Sequence, residues 1–170
     1  MTWRLSKTLK RRIDVRPIEN EDVKYAWAAY KQDKLGQIKF SDGLNALDFK
    51  TAFEGFVLTR AQAAWTVLGE TNRGLIPIGI VLGQWGPGAA FMLVSAIAWY
   101  PWASRRNIVE GTVKLFNNLR KQFPVMGFAN DEHRPLYEAC AMHGIMRRIG
   151  TSHSLGSKMT IFEVRNEQSV

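Results

Sequence analysis

The residues from Phe91 to Pro124 read FMLVSAIAWYPWASRRNIVEGTVKLFNNLRKQFP, and their order could do chemistry. An apolar run from Phe91 to Tyr100 is broken by Pro101, and a short basic turn follows, Trp102 to Arg106. Beyond it Ile108, Val109, Val113, Phe116, Leu119 and Phe123 recur at helical spacing, with Glu110, Lys114, Asn117, Asn118 and Lys121 on the other side. The pattern predicts a buried strand, a turn and an amphipathic helix that ends at Pro124. The first turn of a helix holds backbone N–H groups with no intrahelical partner, and a strand that feeds it aims them at one place. Such a place suits an anion, most often a phosphate. The plain alternative is a tight turn that caps a core helix.

Little else in the chain suggests covalent or metal chemistry. A single cysteine, Cys140, excludes an internal disulfide framework and fits a reducing, cytoplasmic compartment. No Cys/His spacing resembles a zinc site. The histidines His133, His143 and His153 stand alone, although a histidine can titrate near neutrality.

The elements that must position the central stretch are read from the flanking sequence. At 170 residues with 46% apolar content, one domain with a full core is expected. No apolar run approaches the ~18–20 residues of a membrane span, so no membrane partner is expected. The charged start, MTWRLSKTLKRR, has no apolar segment after it and is not a secretory signal. It reads as a basic arm, residues 1–12, ahead of a domain over 13–170. Residues 1–16 carry Arg4, Lys7, Lys10, Arg11, Arg12 and Arg16 against Asp14, a large share of the net +8. Such an arm can bind nucleic acid or an acidic protein surface, or it can simply be a solvated leader.

Residues 13–18 alternate apolar and polar as a half-buried strand does, and Pro17 ends it or marks an edge. Asn20 is the expected cap of a helix whose buried face would be Val23, Trp27 and Tyr30. A polar loop over 33–43 precedes a second helix from Asn45 to Arg60. Ala64–Glu70 and Leu75–Gln84 are expected strands joined by a turn at 71–74, and a glycine-rich loop at 83–88 returns the chain to the central strand. This is an antiparallel meander. Val125–Ala129 is a short strand, Asp131–His143 a helix, and Gly144 its C-terminal glycine. Met146–Ile149 and Met159–Val164 are two last strands with a Gly/Ser/His-rich turn between them.

The segment Trp99-Tyr100-Pro101-Trp102-Ala103-Ser104-Arg105-Arg106-Asn107-Ile108-Val109 resembles the strand-to-helix segment of the GNAT acetyltransferase superfamily. That family ends the strand with an apolar-x-Pro pattern and continues with a turn of the form Gln/Arg-x-x-Gly-x-Gly/Ala. Pro101 and Ile108 fall in register. Ser104 stands for the Gln/Arg, Asn107 for the first glycine and Val109 for the second. The family often shows Asn after its fifth strand and Leu-Tyr in the next helix, and Asn130, Leu136 and Tyr137 stand at those offsets, followed by Glu138. Gly144-Ile145 takes the place of its Gly-aromatic pair, about three residues late. The order of elements from 12 to 165 is similar to the GNAT order. The resemblance implies an α+β fold, a mixed, mostly antiparallel sheet of about seven strands flanked by about four helices.

It also implies acetyl-CoA as cosubstrate, an amine of unknown identity as acceptor, and no metal. Ser104, Arg105, Arg106, Asn107, Ile108 and Val109 would then cradle the pyrophosphate, with Val109 placing a branched side chain where the family has glycine. Donors near Ile97 and Trp99 would meet the thioester, and Asn130 the pantetheine arm. Tyr137 would be the general acid; without the resemblance it reads as a core or interface residue. The central strand has no carboxylate or histidine, so a base would come from Glu70 or from Asp131, Glu132 or His133. The acceptor groove would draw on Trp27, Tyr30, Asp33, Asp42, Asp48 and Glu54 on one side, with His153 and Ser154 on the other.

Three functions remain open: an acetyl-CoA-dependent N-acetyltransferase, a catalytically inactive structural or interaction protein of the same fold, and a nucleic-acid-associated protein acting through its arm. The missing glycines and the six tryptophans fit the second. Trp3 could then anchor a protein partner. Small GNAT-like proteins occur in tailed bacteriophages, some associated with the virion, and this sequence is compatible with such a source. Self-association also stays open.

Overall fold

In a computed structural model of the chain, residues 12–32, 63–154 and 157–165 are described. They form one sheet of seven strands: β1 Ile13–Pro17, β2 Ala63–Thr71, β3 Gly74–Trp85, β4 Met92–Trp99, β5 Val125–Ala129, β6 Met146–Ser154 and β7 Ser157–Val164. Three α-helices accompany it: α1 Asp22–Gln32, α2 Arg105–Arg120 and α3 Arg134–Met142. The order across the sheet is β1-β2-β3-β4-β5-β7-β6. Every neighbouring pair is antiparallel except β4 and β5. The expected mixed, mostly antiparallel α+β architecture is the one observed. The second helix expected over 45–60 and nearly all of the basic arm lie outside the described residues.

The parallel pair shapes the molecule. A parallel connection needs a long crossover, and α2 supplies it. Register between β4 and β5 runs only over Met92–Val125, Leu93–Met126 and Val94–Gly127. β4 then continues for five residues beside β3 alone. A bulge assists this departure, because Leu82 pairs with Ala96 and Gly83 with Val94, leaving Ser95 as the extra residue. The sheet therefore opens where the carboxyl ends of β4 and β5 hand the chain to α2 and α3.

One face of the sheet packs under α2 and α3. Val67, Ile78, Val81, Val94, Ile97, Leu115, Phe116, Leu119, Tyr137 and Phe162 form its core. α2 approaches closely at Gly111, where a Cβ would stand 2.9 Å from the Trp99 ring and 3.1 Å from Val67. The helix ends at Arg120 rather than running on to Phe123, and Gln122 and Phe123 turn back onto the Leu119 carbonyl. α3 is closed by Gly144 at φ 77°. Its N–H donates to Ala141 O at 3.0 Å and that of Ile145 to Cys140 O at 3.1 Å, the paired bonds of a Schellman motif.

Two expectations are corrected. α1 starts at Asp22, with Asn20 in the turn before it, and it buries Asp22, Ala26 and Ala29. Of the expected face Val23, Trp27 and Tyr30, Trp27 is half-buried, and the side chains of Val23 and Tyr30 lie outside the described residues. Asp22 can turn inward because Arg16 of β1 meets its carboxylate with two hydrogen bonds, 2.8 and 2.9 Å. The second correction concerns residues 150–153, expected as a turn. They continue β6, which pairs with β7 as far as Ser154–Ser157. A bulge leaves Ile149 as the extra residue between Arg148 and Gly150 and shifts the alternation that marks a strand.

Candidate functional site

Two helix N-termini flank the opening between β4 and β5. The turn into α2 is fixed from both sides. Trp102 Nε1 donates to the Pro77 carbonyl of β3 at 2.8 Å, and Ala103 N–H donates to Tyr100 O at 2.9 Å. Ser104 then caps the helix, its Oγ accepting from the Asn107 N–H at 3.1 Å. Ser104→Ala is expected to lower stability by about 1 kcal/mol, read by urea denaturation.

The first turn of α2 carries no acidic residue. It carries Arg105, exposed, and Arg106, whose Nε donates to Glu110 Oε1 at 2.7 Å. Cations at the positive end of a helix are unfavourable by themselves and favour a bound anion. Asn107 is turned inward and is 1% exposed, its Nδ2 lying over Gly69 of β2. Its Oδ1 is buried and accepts no hydrogen bond among the described residues, and the Trp99 Nε1 likewise has no partner there. Ile108 is half-buried. Val109 belongs to the core, so its branched side chain does not project into the turn. Ile97 is fully buried and Trp99 half-buried on the length of β4 that has left β5.

On the β5 side, Asn130 organises the entry to α3. Its carbonyl accepts from Arg134 N–H at 2.8 Å. Its Oδ1 accepts from His133 N–H at 3.0 Å and lies 3.0 Å from His133 Nδ1. Burial lowers the His133 pKa below its ordinary value, against a smaller opposing pull from Glu132. Asp131 and Glu132 are exposed, and Arg134 pairs with Asp131 at 3.2 Å and Glu138 at 3.6 Å. Tyr137, one turn beyond His133, is fully buried between Phe116 and Phe162, ring centroids 5.4 and 5.5 Å away. Its ring also rests against Gly127 of β5.

Ser104, Arg105, Arg106, Asn107 and Ile108 thus follow the carboxyl end of β4, and Asn130 and His133 follow that of the parallel β5, while Tyr137 lies deeper, in the core. Glu70 is not gathered with them. It is the penultimate residue of β2, which β3 separates from β4, and its carboxylate accepts from Arg12 N–H at 3.0 Å. His153 is exposed on β6, while Asp33, Asp42, Asp48 and Glu54 lie outside the described residues. Burial pushes the Cys140 thiol up to about 12, so it is no ready nucleophile. Among the described residues no group of His, Cys, Asp or Glu could hold a metal ion, and no helix is long and apolar enough to cross a membrane. Sequence reasoning missed Tyr100. It is buried just past β4, its hydroxyl made less acidic first by burial and then by the Asp22 carboxylate.

Solved structures decide the fold. An acetyltransferase of the GNAT family from Bacillus anthracis superposes with TM-score 0.60 at 16% identity, over 92% of this chain and 96% of that one. Another, from Bacillus cereus, does so with TM-score 0.57 at 14% identity, over 91% and 98%. This is the GNAT fold. An aminoglycoside acetyltransferase solved with coenzyme A shares it, with TM-score 0.63 at 10% identity, over 93% of this chain and 96% of that chain. No protein-family model matches the sequence, and no curated protein matches it. The opening between β4 and β5 is accordingly the splayed centre of a GNAT sheet, with α2 and α3 entering from its two sides.

Proposed function

We propose that this chain transfers the acetyl group of acetyl-CoA to an amine. The observation that carries the reading is the start of α2. It opens where β4 and β5 part and bears Arg105 and Arg106 with no acid in its first turn. Backbone N–H groups, helix dipole and guanidinium charge there all favour a pyrophosphate. Structures of this fold have been solved with acetyl-CoA and paromomycin and with coenzyme A and ribostamycin, which supports an acyl-CoA donor and an amine acceptor in general terms.

In this reading residues 104–109 hold the pyrophosphate, and the thioester lies along β4 near Ile97 and Trp99. The acceptor's ammonium first gives a proton to a base. Its nitrogen lone pair then attacks the thioester carbonyl, the C–N bond forms and the C–S bond breaks. Tyr137 protonates the departing thiolate, and the phenolate recovers the proton lost by the new amide nitrogen. The products are the acetylated amine and free coenzyme A, with one proton released to solvent.

A second reading keeps the fold without the reaction. Tyr137 favours it by being wholly buried among phenyl rings. Calorimetric titration of acetyl-CoA separates the two. Micromolar binding is expected, weakened roughly tenfold in Arg105→Glu, a loss of about 1.4 kcal/mol. Arg105 is exposed, so its reversal leaves the core intact. A folded protein that shows no binding at millimolar acetyl-CoA would sink the enzyme reading. The partner of the basic arm would then be the next question, and steep salt dependence of binding would mark it as nucleic acid.

A further inference from the structure

The contact between Asn130 and His133 fixes more than a helix entry. His133 N–H is shared between the Asn130 carbonyl at 3.2 Å and the Asn130 side chain at 3.0 Å, and a backbone N–H can only donate. The Asn130 atom there must therefore be the oxygen, since the amide nitrogen would face donor to donor. The same oxygen lies 3.0 Å from His133 Nδ1. An oxygen that only accepts requires a proton on Nδ1. In the neutral ring that leaves Nε2 without a proton, its lone pair open to accept one.

We propose that Asn130 is a positioning residue that holds His133 as the Nδ1–H tautomer, so that Nε2 is the base taking a proton from the acceptor's ammonium. The proposal rests on the acyl-transfer reading and names the base that reading needs. Three features agree with it. His133 lies four residues past the carboxyl end of β5, on the same edge of the sheet as the carboxyl end of the parallel β4 and the start of α2. It is only partly buried. Burial lowers its pKa, which favours the neutral ring. Glu132 is the charge that acts on the ring, while Asp131 and Arg134 on the same turn pair with each other. The step balances: Nε2 gains the ammonium proton, the nitrogen keeps the electron pair for attack, and the imidazolium returns the proton to solvent.

The test begins with ¹⁵N-labelled protein at pH 7.5. With three histidines in the chain, His133→Gln assigns the ring signals of His133 in long-range ¹H–¹⁵N spectra. The expected result is a protonated Nδ1 and an unprotonated Nε2. Asn130→Ala should return the ring to the Nε2–H form that free histidine prefers. Asn130→Asp, which keeps an acceptor for both donors, should retain Nδ1–H and raise the ring's pKa. A wild-type ring in the Nε2–H form overturns the proposal, as does an Asn130→Ala ring still in the Nδ1–H form.

The same proteins are then assayed with acetyl-CoA and ribostamycin, spermidine and a lysine peptide as probe acceptors. His133→Gln should reduce kcat at least 100-fold, Asn130→Ala at least 10-fold, and Asn130→Asp should restore turnover with its acidic limb moved to higher pH. Acetyl transfer indifferent to both residues overturns this assignment and leaves the acyl-transfer reading standing. A fixed Nδ1–H tautomer with no acetyl transfer to any probe amine removes both the catalytic assignment and the reading beneath it.

Discussion

Asp22→Ala will lose about 3 kcal/mol of folding stability, the largest loss expected from any single polar residue here. The Asp22 carboxylate receives Arg16 Nη1 at 2.8 Å, Arg16 Nη2 at 2.9 Å, Glu19 N–H at 2.8 Å and Thr66 Oγ1 at 2.9 Å. Its side chain is 3% exposed and that of Arg16 29%. Truncation leaves a buried hydroxyl without its acceptor and a partly buried guanidinium with only Pro17 O at 3.2 Å and Glu19 at 3.5 Å, and loosens β1, β2 and α1 together. The cost stays at the lower end for a broken buried pair because water still reaches Arg16. Urea denaturation of the two proteins measures it, and a loss under about 1 kcal/mol would show the cluster to be a surface pair in energetic terms.

The same carboxylate sets an acid limit. Burial alone would raise the Asp22 pKa, but the hydrogen bonds from Arg16, Glu19 N–H and Thr66, with the Arg16 charge, outweigh it and hold it below the ordinary value. A carboxyl that is more acidic when folded stabilises the fold at pH values above its unfolded pKa of about 3.9. That contribution is lost as pH falls through the lower, folded value. Wild-type stability should therefore drop more steeply in this acid window than that of Asp22→Ala.

Asp22 also marks where the sequence stopped being legible. Periodicity counts apolar side chains, so it does not mark Asp22 as a buried residue of α1. The face that holds Asp22, Ala26 and Ala29 became available only through Arg16, which lies on a different element. The length of β6 was hidden for a related reason. From Arg147 to His153 its residues are exposed or half-buried, so they need no apolar alternation, and the bulge at Ile149 breaks the period of two. The central stretch was legible because two periods meet there, with Pro101 between a buried strand and an amphipathic helix. The anion-favouring start of α2 followed from that junction alone. The partner strand's contribution did not. Asn130 and His133 are three apart in any reading, but only the geometry puts one oxygen against both the N–H and the ring. Glu70 shows the converse: it stands near the end of a strand read as adjoining the central one, yet β3 lies between that strand and β4.

The second large effect is expected at Tyr137, where two substitutions separate packing from chemistry. The ring fills the space between Phe116 and Phe162 in edge-on contacts, with interplanar angles of 81° and 65°. It rests on Gly127, where a Cβ would come within 3.2 Å of the ring. Tyr137→Ala empties this space and should cost about 3–5 kcal/mol, as removal of a fully buried aromatic does. Tyr137→Phe keeps the ring and all three contacts, so its stability should stay within about 1 kcal/mol of wild type. If the hydroxyl protonates the leaving thiolate, the same variant should lower kcat for acetyl transfer roughly 10²–10⁴-fold while leaving acetyl-CoA affinity unchanged. Unchanged turnover in Tyr137→Phe would assign the residue to the core alone. The phenylalanine variant carries the decision because its thermodynamics are expected to be nearly silent. Any fall in rate then belongs to one oxygen, at a place the fold has closed to bulk water.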